Sequence, residues 1–329
     1  MINTRVGIDV GIGKTIAVDW GNGYMKSVSF SLKAGITQYE TEPYTSSNVV
    51  KVNDKYYVCG SSRSSLEEDK TQSERYYVLT LAMIAKEIEN RNLDRPTSIN
   101  LVLGLPLDDY GLYKDRLIQS FDNSKILSNK QKPIKFEFEN RNYEITIDDI
   151  EIYPQGYAGY YLYDGEFSNQ PSIGVCDIGT WTIDMMRIDD GEPNANTCFS
   201  LPLGIAHILN ESNREVKKAT GLSLTTPQIE SILQGKTINI NDNAKEIVLN
   251  YASQYIQKLI GELKENDFDI FSVPTIFMGG GSKMMKNHLE KNNKGNKDKL
   301  KNWEFIENPN INAMGFEKLY NDLNGANNE

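Results

Sequence analysis

Two short stretches carry the residue types of a grip on phosphate and metal. The first is Asp19-Trp20-Gly21-Asn22-Gly23-Tyr24-Met25-Lys26. An aspartate closes a β-prone run, glycines follow, and a lysine sits on the returning run. Glycine lets a turn pass close to a ligand, and such a turn aims several backbone N–H groups at one point, an anion nest. Asp19 can hold a magnesium ion through water, because that ion takes oxygen ligands and keeps part of its hydration shell. Lys26 can place a point charge on a β- or γ-phosphate. The second stretch is Asp177-Ile178-Gly179-Thr180-Trp181-Thr182-Ile183-Asp184. Asp177 mirrors Asp19, Gly179 and Thr180 form the turn, and Thr180 and Thr182 add hydroxyls. Two such hairpins can grip a polyphosphate from both sides with the metal between them.

A third unit, Gly279-Gly280-Gly281-Ser282, lies between the apolar run Thr275–Met278 and a helix. Glycines there leave room for a flat base or a ribose against the backbone, and a helix N-terminus favours an anion nearby. Each unit alone has a plain reading: an Asn-Gly hairpin with a surface lysine, a β-turn, a flexible glycine turn. An earlier run, Asp9-Val10-Gly11-Ile12-Gly13-Lys14, nearly copies the first unit. It is no P-loop, since the required four-residue gap between glycines is absent. His207 and His288 stand far apart without ligand spacing and read as ordinary helix residues. Cys59, Cys176 and Cys198 form no CxxC pair, which argues against a zinc site or a disulfide framework and fits a reducing cytoplasm.

The elements that must position these groups follow from periodicity. Strands are expected at Val6–Val10, Thr15–Trp20, Tyr24–Phe30, Ile36–Glu42 and Lys55–Cys59. Tyr77, Leu81, Ile84 and Ile88 recur at helical spacing, so Ser73–Arg91 reads as a helix with Ser73 as a possible N-cap. A strand at Ile99–Leu103, a helix at Tyr110–Phe121 and a hairpin of Ile134–Phe138 with Tyr143–Ile147 come next. The second half restarts with Ser172–Asp177 and Thr182–Ile188. Helices follow at Ile205–Thr220, Pro227–Leu233 and Ala244–Lys264, then the strand Thr275–Met278 and a helix from the glycine triplet. Lys291–Asn302 reads as a solvated loop, and Gly315–Leu323 as a last helix. Tyr157, Tyr160, Tyr161 and Tyr163 read as packing residues.

Length and charge bound the class. At about 100–200 residues per domain, 329 residues suggest two domains. The net charge of −10 repels a phosphate backbone and argues against direct nucleic-acid binding. There is no signal-peptide layout and no apolar run of the ~18 residues that span a bilayer. The expected protein is soluble and cytoplasmic, with no membrane partner.

In their order, the three units resemble the phosphate-1, phosphate-2 and adenosine motifs of the actin superfamily, most closely the ParM-type plasmid-segregation actins of Gram-positive bacteria. Further segments follow that family's order: Tyr57-Val58-Cys59-Gly60, the Glu74–Glu87 helix, Gly104-Leu105-Pro106-Leu107, Leu203-Gly204 and Asn312-Ala313-Met314-Gly315-Phe316. The resemblance covers nearly the whole chain. It implies an α/β, two-domain, ribonuclease-H-like fold with an interdomain nucleotide cleft. One domain would be 1–155, with 312–329 returning to it, and the other 156–311. Of the two Asp-x-Gly copies it favours Asp19, because Lys26 stands at the family's lysine position where the Asp9 copy has Ile16.

The resemblance also implies an activity. ATP, or GTP, with Mg²⁺ would bind through Asp19, Gly21, Asn22, Gly23, Tyr24, Lys26, Gly179, Thr180, Trp181, Thr182, Gly279, Gly280 and Gly281. Asp19 and Asp177 would hold the metal. Gln155, in Tyr153-Pro154-Gln155-Gly156, would orient the attacking water, making Gln155 and Asp177 the catalytic pair. The implied function is a filament-forming ATPase that moves plasmid DNA. Its partners would be further copies of itself and a small DNA-binding adaptor protein of the partition type. The alternative is a non-polymerising kinase of a small acceptor, for which only Asp108 and Asp109 offer a carboxylate around Leu101–Asp109. A membrane-tethered relative fits less well, because Asn324–Glu329 is short and polar.

Overall fold

The computed structural model describes residues 14–63, 67, 69–95, 97–121, 133–163, 165, 167–292 and 301–325. The expected strand Val6–Val10 and the Asp9 copy of the turn lie outside them, as does most of Lys291–Asn302. The chain divides into two compact units. The first holds the described residues up to Leu105, Asp109–Pro154 and the chain from Ala313 on; the second holds Pro106–Asp108 and Gln155–Asn312.

In the first unit, every residue of Thr15–Trp20 (β1) is buried, the signature of a central strand covered on both faces. It pairs antiparallel with Tyr24–Ser27 (β2), which pairs with Ser31–Lys33 (β3). Ile36–Tyr39 (β4), Val49–Val52 (β5) and Lys55–Cys59 (β6) follow, then the helix Glu74–Asn90 (α1). Thr97–Leu105 (β7) runs parallel to β1 and precedes Leu107–Phe121 (α2). Ile134–Phe138 (β8) and Arg141–Pro154 (β9) complete a nine-stranded sheet of order β3-β2-β1-β7-β9-β8-β5-β6-β4.

Several expectations shift here. The expected strand Tyr24–Phe30 breaks at Ser27, whose hydroxyl donates to Glu87 in α1 at 2.6 Å. Glu87 is fully buried, and it also accepts from the Ser29 amide and from Arg91 Nε at 2.9 Å. Ser73 stands at the N-cap of α1 but makes no capping bond; its hydroxyl donates to Glu67 instead. The second arm of the expected hairpin runs on from Ile147 to Pro154, because β9 pairs parallel with the whole of β7.

In the second unit a short helix, Tyr157–Tyr161 (α3), precedes Ser172–Ile178 (β10), Ile183–Asp189 (β11) and Glu192–Leu201 (β12). Ile205–Thr220 (α4), Thr226–Leu233 (α5) and Asp242–Glu265 (α6) come next, then Thr275–Met278 (β13), Ser282–Asn292 (α7) and Trp303–Phe305 (β14). Ile311–Gly325 (α8) ends the described chain and, from Ala313 on, belongs to the first unit. Helix α5 opens on a capping box, Thr225 with Gln228. The sheet order is β12-β11-β10-β13-β14, with β13 parallel to both neighbours.

The two sheets repeat one plan. Each has an antiparallel third-second-first meander whose first strand pairs with a parallel crossover strand, followed by another parallel strand. This is the α/β, ribonuclease-H-like arrangement that the resemblance implies, built twice. No described helix is long and apolar enough to cross a membrane.

One helix residue sets a pH dependence. His288 in α7 is only 4% exposed, and its Nε2 has no hydrogen-bond partner among the described residues. Burial, with Lys291 nearby, holds its pKa below the usual histidine value. In the window between the two pKa values the unfolded chain binds a proton that the folded chain refuses, so stability rises with pH there. It is complete above the unfolded value of about 6.5 and declines as pH falls below it. His288→Met should flatten that decline in urea midpoints taken from about pH 7 to pH 5; an unchanged slope would show that His288 does not cause it.

Candidate functional site

In the first unit, Asp19 is the penultimate residue of β1, with only 2% of its surface exposed. Its cross-strand partner is Lys26, whose Nζ lies 3.3 Å from Asp19 Oδ2. A buried carboxylate beside a nearly buried ammonium is stable only when paired in this way. The turn between them is held from several directions. The Gly21 amide donates to the Asp19 carbonyl at 3.2 Å, and a Cβ on Gly21 would meet the Tyr24 carbonyl oxygen at 2.4 Å. Asn22 Oδ1 accepts from Tyr76 Oη at 2.7 Å and from the Glu67 amide, which ties its side chain to α1. The Gly23 carbonyl accepts from the Ala34 amide, and Tyr24 Oη accepts from Arg63. Lys70, itself buried, donates to the Trp20 carbonyl at 2.8 Å. Trp20 stacks on Tyr76 with ring centroids 5.0 Å apart.

In the second unit, Asp177 lies at the end of β10, 8% exposed and paired in register with Asp184. Gly279 adopts φ +83°, and a Cβ there would stand 2.2 Å from Asp177 Oδ1 and 2.8 Å from the Ile178 carbonyl oxygen. Gly281 is equally constrained, by Ile178 and Ile205, whereas Gly280 faces open space. Two of the three glycines are therefore required sterically. The structure thus brings Asp177 and the glycine turn together, although about a hundred residues separate them.

The turn after Asp177 is closed by its own backbone. The Gly179 amide donates to the Thr182 carbonyl at 2.9 Å. The amides of Gly204, Ile205 and Ala206 at the start of α4 donate to the carbonyls of Trp181, Gly179 and Thr180. The orphan donors of a helix N-terminus are thus satisfied by the turn itself. Gly204 is obligatory, since a Cβ would lie 2.3 Å from the Trp181 carbonyl carbon. Tyr255 in α6 donates its hydroxyl to the Leu203 carbonyl, one residue before the clamp. Thr182 Oγ1 donates to Asp184 at 3.2 Å, and Trp181 Nε1 is buried without a partner among the described residues.

Gln155 opens the second unit, half-buried, and its carbonyl accepts from the Tyr157 amide at 2.9 Å. Gly156 follows with φ +75° as the N-cap of α3. The residue that links this corner to Asp177 is Asn312, 3% exposed. Its Nδ2 donates to Asp177 Oδ2 at 2.6 Å, and its Oδ1 accepts from the Gly156 amide at 3.0 Å. In sequence it shows only as one residue of a segment near the C-terminus, and the α4 clamp shows only as Leu203-Gly204.

The donor sets fit the groups implied. Each hairpin offers a nearly buried carboxylate near a strand end, and beside the second the backbone of Gly280 faces open space. Among the described residues no three His, Cys, Asp or Glu side chains gather to cage a metal. A cation here would take water and phosphate oxygens as its other ligands, the habit of magnesium.

A duplicated ribonuclease-H-like α/β plan, with a carboxylate-headed hairpin opening each half, defines the class of protein. Residues 7–157 match the family model described as "Actin like proteins N terminal domain", and residues 175–291 match "Archaeal actin homologue MreB-like, C-terminal". Each half of the chain thus carries an actin-like family domain. A curated relative, an archaeal actin homolog of Thermoplasma acidophilum, is 25% identical over 326 residues, covering 90% of this chain and 93% of its own. Among solved structures, the actin-like protein Alp7A superposes with a TM-score of 0.71 at 14% identity, covering 96% of this chain and 99% of that one. An archaeal actin homolog solved in complex with ADP gives 0.68 at 19% identity, over 94% and 99%. A filament structure of Alp12 gives 0.62 at 16% identity, over 93% and 97%. These structural likenesses establish the fold.

Proposed function

We propose that the chain is a nucleotide-dependent, filament-forming ATPase. The observation that carries this reading is the pair of buried, carboxylate-headed hairpins, Asp19 with Lys26 and Asp177 with Gly279, each built into one half of a duplicated actin-like fold. The glycine turns bind the phosphates of ATP or GTP. Asp19 and Asp177 hold the hydration shell of Mg²⁺, which when bound neutralises phosphate charge. Lys26 stands ready to exchange its contact with Asp19 for a phosphate oxygen. Gln155, a neutral amide, holds a water in line with the γ-phosphate rather than acting as a strong base. Gly279 to Gly281 accommodate base and ribose. The ADP bound by one structural relative and the filament formed by another support this reading.

Non-closing head-to-tail contacts between copies give a helical polymer, assembled with nucleoside triphosphate and loosened by hydrolysis. Within that reading the polymer works in the cytoplasm and moves plasmid DNA through a small DNA-binding adaptor. The net charge of −10 favours an adaptor over direct contact with DNA. The test is electron microscopy and sedimentation of the full chain with Mg²⁺ and ATP, GTP, ADP or no nucleotide, alongside phosphate release. Filaments with a triphosphate, and slow phosphate release, are expected. A chain that stays monomeric at tens of micromolar (about the range where weak self-association shows) and releases no phosphate would refute the proposal.

A further inference from the structure

We infer that Asn312 is a positioning residue for hydrolysis, holding the Asp177 carboxylate and the backbone of Gln155 in one fixed relation. This inference rests on the ATPase reading above and names a residue which that reading leaves without a role. A primary amide has a donor end and an acceptor end, and Asn312 uses both. The donor end reaches Asp177 Oδ2 at 2.6 Å, a short, charge-assisted bond. The acceptor end takes the Gly156 amide at 3.0 Å. The amide is nearly fully buried, so neither end can exchange its partner for bulk water.

The surroundings leave it little choice of rotamer. A Cβ on Gly159 would lie 3.0 Å from Asn312 Oδ1 and 2.6 Å from Met278 Sδ, so the start of α3 closes over the amide. On the other side, Gly279 allows the backbone to pass against Asp177 Oδ1. Gln155 precedes Gly156 directly, so the bond to the Gly156 amide fixes the peptide from which the Gln155 side chain springs. Asp177 and Gln155 are 22 residues apart in sequence, yet one side chain sets both. A small misplacement of a water-orienting group costs catalysis far more than binding.

The test uses the full chain with Mg²⁺ and ATP, reading phosphate release at saturating ATP and, separately, affinity for a fluorescent ADP. Asn312→Ala should slow turnover about 10–100-fold while affinity stays within about threefold, because the phosphate turns remain. Asn312→Asp keeps size and acceptor but sets a carboxylate against Asp177; it should be at least as slow. If Asn312 only anchored Gly156, that second variant would turn over like wild type, and the inference would be wrong. Combining Asn312→Ala with Gln155→Ala should add little to the slower single variant. Independent, multiplying losses, or affinity falling in step with turnover, would also overturn the inference. A wild-type chain without turnover would remove both the ATPase reading and this inference. Wild-type turnover matched by both Asn312 variants would remove this inference alone.

Discussion

Asp177→Ala should lower ATP turnover by about 10²–10³-fold, the scale on which removing one preorganised electrostatic group acts. Asp177, the penultimate residue of β10, is almost buried, with one carboxylate oxygen on Asn312 and the other against the glycine turn. Under the proposed function, truncation takes away the anchor for a hydrated cation. It also leaves the buried Asn312 donor without an acceptor, which costs about 1–3 kcal/mol of stability. Asp177→Asn separates the two effects. It keeps the shape and an oxygen able to accept from Asn312, but removes the charge. Its turnover should fall nearly as far as that of the alanine variant, with a smaller drop in melting temperature. Phosphate release by Asp177→Asn within about threefold of wild type would show that the charge is not used, since a dispensable group costs less than one pKa unit's worth of energy.

Gly104→Ala should destabilise the first unit sharply, and a smaller residue at position 316 should restore much of the loss. Gly104 lies on β7 opposite Asp19, and a Cβ there would stand 2.0 Å from the Phe316 ring on α8. Phe316 is fully buried and cannot swing out without leaving a hole. Overpacking of this kind costs about 1–3 kcal/mol or more, and Phe316→Ala alone costs about 3–5 kcal/mol. The two changes act on the same space. The double variant should therefore be more stable than the sum of losses predicts, by about 0.5–3 kcal/mol of coupling. Urea denaturation of the four proteins measures it, and simple additivity would mean that α8 does not press on β7 at this point.

That contact also shows where sequence reading stops. Gly104 reads naturally as the start of a turn before Pro106, yet β7 continues through it to Leu105. The glycine answers to an aromatic ring more than two hundred residues away, which no local pattern encodes. Strands β1, β6 and β13 have the predicted bounds, as does α4, and β1 and β13 are buried throughout. Strand β12 was not, because Glu192–Leu201 is an edge strand with most residues partly exposed, and Pro193-Asn194-Ala195-Asn196 resembles a loop. Strand β5 is four residues long, and β14 three, next to a lysine-rich stretch. At the site, the Asp-x-Gly spacing and the glycine triplet marked both turns, because tight turns leave a chemical signature in sequence. Asn312 shows in sequence only within the segment Asn312–Phe316, and its role does not, since its two partners are 135 and 156 residues away.

The clamp between α4 and the Gly179–Thr182 turn bears on how this loop meets a ligand. Its carbonyls are already engaged by the amides of Gly204, Ile205 and Ala206, and Tyr255 braces the peptide just before them. Freezing a mobile backbone costs about 1–2 kcal/mol per residue in lost conformational entropy. Here that loss falls during folding, so under the proposed function the turn need not be ordered by the anion it would bind.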